Sequence, residues 1–324
     1  MRAVICKEFG LPGTLQIKEI PDPSLLPAQV LISVEACGVN FPDLLMIQNK
    51  YQIKPGLPFS PGGEVAGKII AAGSEVDNFQ IGKPVIALCG WGGFAEKVAV
   101  DSDRVFPLPN DVPAKLAAAG LYTYSTSYHA LKDRANLQPG ETFLVLGASG
   151  GVGLAAVELG KIMGSTVIAA ASSQEKLELC RQKGADLFIN YTEEDLKSRI
   201  KELTGGKGVD VVFDPVGGDY TEAAIRGMGW KGRYLIVGFA SGTVPQIPMN
   251  LPLLKGCSIM GVFWGNFSRV EETTNQANLQ QLMDWIGEGK LNPAIGKTYS
   301  LEEAPEALQA ILDQKAVGKG VVLI

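Results

Sequence analysis

Two stretches of this 324-residue chain combine residue types and spacing suited to chemistry. The first, Gly147-Ala148-Ser149-Gly150-Gly151-Val152-Gly153, follows the apolar run Thr142–Leu146 and leads straight into a run with helical spacing. At Gly150 and Gly151 the backbone can approach a pyrophosphate with no Cβ in the way, while the helix start offers free N–H groups and the positive end of its dipole. In the register G-x-G-x-x-G the glycine positions are Ala148, Gly150 and Gly153, so alanine replaces the first glycine. The second stretch is Ala171-Ser172-Ser173-Gln174-Glu175-Lys176, and Ser172 lies 19 residues beyond Gly153. A carboxylate at about this place, ~20 residues on, would hold a ribose 2′-hydroxyl. Hydroxyls with a lysine instead suit a 2′-phosphate, which a carboxylate would repel. The expected dinucleotide is NADP(H) rather than NAD(H). A tight structural turn at the glycines and a helix cap at Ser172 are the plain alternatives, and the cap is compatible with the phosphate reading.

The elements that must position these residues fall into two patterns. From Met1 to about Pro109, short β-rich runs alternate with Pro/Gly turns: Leu15–Ile20, Gln29–Val34, Val65–Ile70, Val85–Leu88, Phe94–Val100 and Arg104–Leu108. Ala114–Leu131 then reads as helix. After Pro139-Gly140 strands and helices alternate: strand Thr142–Leu146, helix Val152–Met163, strand Thr166–Ala171, helix Gln174–Lys183, strand Leu187–Asn190, helix Glu193–Thr204, strand Val209–Phe213, a helical stretch and strand Arg233–Val237. Strands that are continuously apolar are buried on both faces of a parallel sheet. The expectation is an α/β protein, a mostly antiparallel β domain followed by a doubly wound parallel-sheet domain. Beyond about residue 263 the helical stretches Val270–Gly287 and Leu301–Asp313 and the strand Gly320–Ile324 leave the alternation and return to the first domain. The domains are thus expected to span 1–122 with 264–324, and 123–263.

Composition excludes several function classes. Hydrophobic residues make up 46% and charged residues 19%, and 29 basic against 34 acidic residues give a net charge of −5 with no dense basic block. A nucleic-acid partner is not expected. Apolar runs fall short of the ~18–20 residues of a membrane span, and the start lacks a signal-peptide core, so the chain is expected in the cytoplasm. The five cysteines form no C-x-x-C pair, and neither a disulfide framework nor a zinc ribbon fits. Tyr128-x-x-x-Lys132 precedes the glycine loop and is taken as chance.

With Ala36–Asp43, Pro61–Gly67, Gly92–Glu96, Gly147–Gly153 and Gly208–Gly218 assembled, nearly the whole chain resembles the medium-chain dehydrogenase/reductase superfamily, and within it the zinc-free quinone oxidoreductases related to zeta-crystallin. The resemblance implies a GroES-like β domain, a Rossmann domain and a C-terminal return to the first. The positions of the superfamily's catalytic zinc ligands correspond to Asn40, Gly63 and Tyr122, none a usual zinc ligand, so no metal is expected. The only histidine, His129, is read as structural, Cys37 as a small buried residue, and Glu64 as a structural partner.

By the same resemblance Asn40 and Asp43 lie beside a nicotinamide pocket, with Tyr51 as substrate donor or wall. In the plain reading Asn40–Asp43 is only a loop entering a helix, with Asp43 as its cap. The cofactor is implied to touch Thr126, Ser149, Gly150, Gly151, Val152, Ser172, Ser173, Lys176, Tyr191, Val237, Gly238, Phe239, Phe263 and Lys319. Without a Lewis acid the favoured chemistry is hydride transfer from NADPH to an acceptor that is already electrophilic, a quinone. Reduction of the C=C bond of enones or acyl thioesters is the near alternative, and NADPH binding with little turnover a further one. The loop Phe239–Leu254, with Met249, Leu253 and Leu254, and Phe263-Trp264 are apolar enough for either acceptor. A homodimer is implied, through edge strands near Ser258–Phe263.

Overall fold

Period-two burial along Gln29–Gly38 organises the first of two units. Val30, Ile32 and Val34 point into the core while Gln29, Leu31 and Ser33 face outward. The computed structural model describes residues 1–109 and 112–324. In the first unit, β1 (Arg2–Ile5) and β2 (Gln16–Glu19) form an antiparallel ribbon. The long strand β3 (Gln29–Gly38) pairs antiparallel with β4 (Glu64–Ala72), and β5 (Pro84–Ala87) extends the sheet from β4. Strand β6 (Lys97–Asp101) lies along the first half of β3, and β7 (Val105–Pro107) pairs with β5. The expected strand Phe94–Val100 starts late because Phe94 is taken up by other bonds: its carbonyl accepts from Val4 N at 2.9 Å and its N–H donates to Pro61 O at 2.9 Å.

Helix Phe41–Ile47, which sequence periodicity does not reveal, follows β3 directly. The single helix expected over Ala114–Leu131 is broken into Ala114–Ala117, Leu121–Tyr128 and a π-helical turn His129–Arg134. One break falls at Gly120, where a Cβ would come within 2.9 Å of the Pro293 ring.

The second unit is the doubly wound sheet. Its parallel strands are β8 (Thr142–Leu146), β9 (Thr166–Ala171), β10 (Leu187–Asn190), β11 (Val209–Asp214), β12 (Met228–Ile236) and β13 (Ser258–Gly261), in spatial order β10-β9-β8-β11-β12-β13. Helices Gly151–Ile162, Gln174–Gln182, Leu196–Leu203, Tyr220–Gly227 and Asn250–Lys255 link them. Strand order reverses between β8 and β11, and in such sheets the crevice at the carboxyl ends of those strands is where ligands bind. The glycine loop sits there, directly after β8.

The two units are Met1–Tyr122 with Trp285–Ile324, and Thr123–Asp284. The return to the first unit thus falls at Trp285 and not at residue 264. Helix Trp264–Val270 and helix Glu272–Gly287 as far as Asp284 lie in the second unit, with Trp264, Phe267, Leu279 and Leu282 buried. Lys132 Nζ also donates to Asn278 Oδ1 at 2.6 Å, and the His129 ring stacks on Phe267 at 3.8 Å. After the return, β14 (Ile295–Ser300) and β15 (Lys319–Leu323) complete the first sheet, with β15 antiparallel to Ala36–Gly38 of β3. The end of β3, the start of β4 and the start of β15 therefore become neighbours. Among the described residues no helix is long and apolar enough to cross a membrane.

Candidate functional site

In the first unit those three strand ends build a buried polar centre. Lys319 Nζ donates to Glu64 Oε2 at 3.0 Å and to Asn40 Oδ1. Asn40 Nδ2 donates to Gly38 O at 3.2 Å and to Glu64 Oε2 at 3.3 Å, and Glu64 Oε1 accepts from Tyr122 N–H at 2.7 Å. Relative exposure is 5% for Asn40, 0% for Glu64 and 4% for Lys319, so each charge depends on the others for solvation. Glycine at position 38 is what admits the Glu64 carboxylate: a Cβ there would lie 2.6 Å from Oε2 and 2.1 Å from Ala118 O.

Asn40 is the N-cap of helix Phe41–Ile47, and Asp43, three residues on, bonds back to it. Asp43 Oδ2 accepts Asn40 N–H at 2.8 Å and Oδ1 accepts Gly62 N–H at 3.2 Å. Burial pushes the Asp43 carboxyl up to about 7; the Asn40 amide, the Lys319 charge and the Gly62 amide pull the other way, and Glu64 adds repulsion. Asn40 and Asp43 are thus brought together, with the Asn40 amide oxygen and both Asp43 carboxyl oxygens engaged inside the protein. Lys319, expected at the cofactor, falls in this same cluster with its ammonium on Glu64 and Asn40. Tyr51 is half-buried at the edge of the first core and is hydrogen-bonded to the Tyr122 side chain. Burial first, then Tyr51, Asp43 and Glu64, hold the Tyr122 hydroxyl well above the ordinary phenol range, so it stays protonated. In the sequence Tyr122 stands out only as the counterpart of a zinc-ligand position; the structure adds its side-chain hydrogen bond to Tyr51.

In the second unit the loop after β8 bends at Gly147, whose φ is +57° and whose Cβ would meet the Val216 side chain at 2.7 Å. Helix Gly151–Ile162 begins at its N-cap, Gly150. Ser149 is buried, and Gly151 and Val152 are half-buried in the first turn, where amides have no partner within the helix. The end of β9 brings the second candidate group together. Lys176 Nζ donates to Ser172 Oγ at 2.9 Å, and Thr192 Oγ1 donates to Ser172 O at 3.2 Å. Tyr191 follows β10, packs on Tyr220 with ring centroids 4.4 Å apart and the planes tilted by 42°, and hydrogen-bonds to Ser172. The cap of helix Gln174–Gln182 is Ser173, whose Oγ accepts Lys176 N–H at 3.3 Å, and not Ser172.

Val237, Gly238 and Phe239 leave β12 half-buried, with Val237 N–H and Gly238 N–H on Asp214 O at 2.9 and 3.3 Å. Asp214 lies within the Gly208–Gly218 stretch. Its buried carboxylate accepts Val216 N–H and Gly217 N–H, both at 2.8 Å, and the hydroxyls of Thr221 and Tyr234. It builds the turn against which Phe239 rests. Thr126 is half-buried on helix Leu121–Tyr128. Phe263 is 47% exposed at the exit of β13, away from the Ser172 group in the strand order. Met249, Leu253 and Leu254 face solvent, whereas Trp264 is buried with its indole N–H on Asn275. Among the described residues no three His, Cys, Asp or Glu side chains are placed to hold a metal ion.

Comparison with known proteins agrees with this layout. Residues 26–110 match the alcohol dehydrogenase GroES-like domain and residues 151–286 match the zinc-binding dehydrogenase domain. The chain is 40% identical to a quinone oxidoreductase-like protein 2 homolog of Nematostella vectensis, over 99% of this chain and 88% of that protein. It is 35% identical to the quinone oxidoreductase of Homo sapiens, over 100% and 98%. The Escherichia coli quinone oxidoreductase, solved in complex with NADPH, superposes with a TM-score of 0.93 at 26% identity, covering 100% of both chains. The chain belongs to the medium-chain dehydrogenase/reductase family of oxidoreductases, among its quinone oxidoreductases.

Proposed function

We propose that the chain is an NADPH-dependent reductase that delivers a hydride to a quinone and needs no metal ion to do so. The observation that carries the reading is the end of β9, where Ser172 Oγ and Lys176 Nζ meet at 2.9 Å and no carboxylate occupies the position that would select a free 2′-hydroxyl. That pair suits the 2′-phosphate, with Tyr191 beside it. The Escherichia coli relative's NADPH complex supports the same cofactor.

The glycine loop fits a pyrophosphate. A Cβ on Gly150 would meet only Gly147 O at 3.5 Å, an ordinary contact, so the chain's own packing does not require glycine there. An approaching phosphate does, and the amides of Gly150, Gly151 and Val152 would hold it with Ser149. Bound NADPH supplies the hydride. The protein's part is to orient the acceptor and stabilise the oxygen that gains charge. Tyr51, half-buried at the edge of the first core beside the Tyr122 side chain, is suited to donate to that oxygen. The Lys319–Glu64–Asn40 centre holds the start of helix Phe41–Ile47 and with it the segment leading to Tyr51. A quinone is electrophilic enough to need no Lewis acid beyond such donors.

The test is NADPH oxidation by chelator-treated protein with an ortho-quinone and a short enoyl-CoA side by side, each repeated with NADH. Quinone turnover that survives chelation and prefers NADPH is expected. Turnover of the enoyl thioester alone would make the protein an enoyl reductase, and tight NADPH binding without turnover a binding protein. Pairing of two copies through the outer strand β13 is part of the same proposal, and a monomeric mass in solution would remove it.

A further inference from the structure

The amino ends of the parallel strands in the second unit, opposite the glycine loop, carry a basic cleft whose lysines make no ion pair among the described residues. It encloses about 150 Å³ and is lined by Lys201, Lys207, Lys255, Trp230 and the backbone of Gly206 and Gly229. Helix Leu196–Leu203 contributes Lys201, the glycine turn before β11 contributes Lys207, and the helix Asn250–Lys255 contributes Lys255. The carboxylates on the two neighbouring helices are already committed. Glu202 pairs with Arg199 at 2.7 Å and Glu222 with Arg226 at 2.7 Å. Lys255 Nζ is held on Met228 O at 2.8 Å, and among the described residues no carboxylate pairs with it. Burial, then the charges of Lys201, Lys197 and Arg226, hold that ammonium below the ordinary lysine range.

Beside the lysines stands an aromatic platform. Between Val209 and Val211 the pairing of β11 with β12 slips, from Met228 to Arg233, so residues 229–232 loop out. Lys231 at the tip has φ +61°, a conformation costly for a residue with a side chain. The loop presents Trp230 at 71% exposure, while its ring is backed by Gly256, where a Cβ would lie 2.7 Å away. One face of the indole is thus supported and the other open, at the rim of a cluster of cations.

We propose that this cleft binds an aromatic phosphate monoester, the phosphate among Lys201, Lys207 and Lys255 and the ring on Trp230. Lysine ammoniums make charge-assisted bonds to phosphate oxygens, and a planar ring on an indole adds stacking. The site lies at the opposite end of the strands from the glycine loop and is independent of the hydride chemistry.

The probe is phenyl phosphate, read by the tryptophan emission of the 324-residue chain with the emission of Trp230→Phe subtracted, so binding at the glycine loop does not register. A saturable change is expected, weakened about tenfold or more in the Lys201→Gln/Lys207→Gln variant and by raised salt. Inorganic phosphate should compete, and phenol at equal concentration should give no response. Unchanged thermal midpoint and NADPH affinity in the double variant show that the fold is intact. No saturable change in the wild type, equal affinity in the lysine variant, or a phenol response as strong as that of phenyl phosphate would overturn the proposal.

Discussion

Lys319 and Glu64, 255 residues apart in sequence, form an ion pair of 3.0 Å with 4% and 0% of their surfaces exposed. The pair joins the start of the last strand to the start of β4, so the C-terminal return completes the polar centre as well as the sheet. Asn40 is clamped between them, its oxygen on the ammonium and its amide on the carboxylate.

Breaking this pair from one side leaves a buried charge alone. Lys319→Met is expected to cost about 3–5 kcal/mol, and Glu64→Gln with Lys319→Met together clearly less than the sum of the two single changes. Denaturant unfolding of the four proteins measures the coupling. Additive losses would mean that the two charges do not depend on each other.

Asp43 sets a pH dependence whose sign follows from its burial. Its carboxyl is raised from 3.8 in the unfolded chain to about 7 in the fold, so the folded protein holds the proton more tightly. Its contribution to stability is therefore full below pH 4, declines as pH rises towards 7 by at most about 1.4 kcal/mol per pH unit, and is flat above 7. Asp43→Asn lacks this titration. The stability advantage of wild type over the variant should shrink between pH 5 and pH 7, and parallel profiles would sink the assignment.

Replacing Ser172 by Asp puts a carboxylate where the 2′-phosphate is proposed to lie. Ser172→Asp with Lys176→Ala should raise kcat/KM for NADH relative to NADPH by two orders of magnitude or so, through repulsion and the loss of a charge-assisted bond. Steady-state kinetics with both cofactors measures it, and an unchanged ratio would place the phosphate elsewhere. Ser173→Ala serves as the comparison. It removes a helix cap, costs about 1 kcal/mol of stability and leaves the ratio alone.

Tyr51→Phe tests the donor. With the ring kept in the edge of the first core, the melting temperature should stay within a degree or two, while kcat for the quinone falls roughly 10²-fold, the order expected when an oxyanion donor is lost. Loss of KM alone would leave Tyr51 as a wall of the pocket.

The parts of the fold written in short-range patterns were legible before the structure. Continuous apolar strands and the glycine loop specify the doubly wound sheet, and Ser172 and Lys176 lie one helical turn apart. What the chain hides is what depends on distant partners. Lys319 reads as a solvated lysine until β15 is laid against β3, and Asp214 reads as part of a turn until Tyr234 and Thr221 arrive from other elements. Helix Phe41–Ile47 is too short for periodicity to declare. The sequence puts the return of the chain too early because Trp264 and Phe267, apolar residues after the last parallel strand, look the same whether they pack on one unit or the other. Hydrogen bonds from Lys132 to Asn278 and from Asn278 to Asp133, invisible in sequence, decide it.

The glycine loop separates packing from binding within four residues. A Cβ on Gly153 would come within 2.4 Å of Gly147 O and 2.8 Å of Ala148 Cα, both backbone, so Gly153→Ala must displace the loop from the helix. Gly150→Ala meets only an ordinary contact of 3.5 Å at a φ of −78° that alanine adopts freely. Gly153→Ala is therefore expected to lower the melting temperature by several degrees, while Gly150→Ala keeps it and weakens NADPH binding roughly tenfold or more by placing a methyl group where a phosphate must approach. Thermal unfolding and equilibrium cofactor titration of both variants distinguish the roles. If Gly150→Ala binds NADPH as wild type does, the pyrophosphate does not lie on this turn.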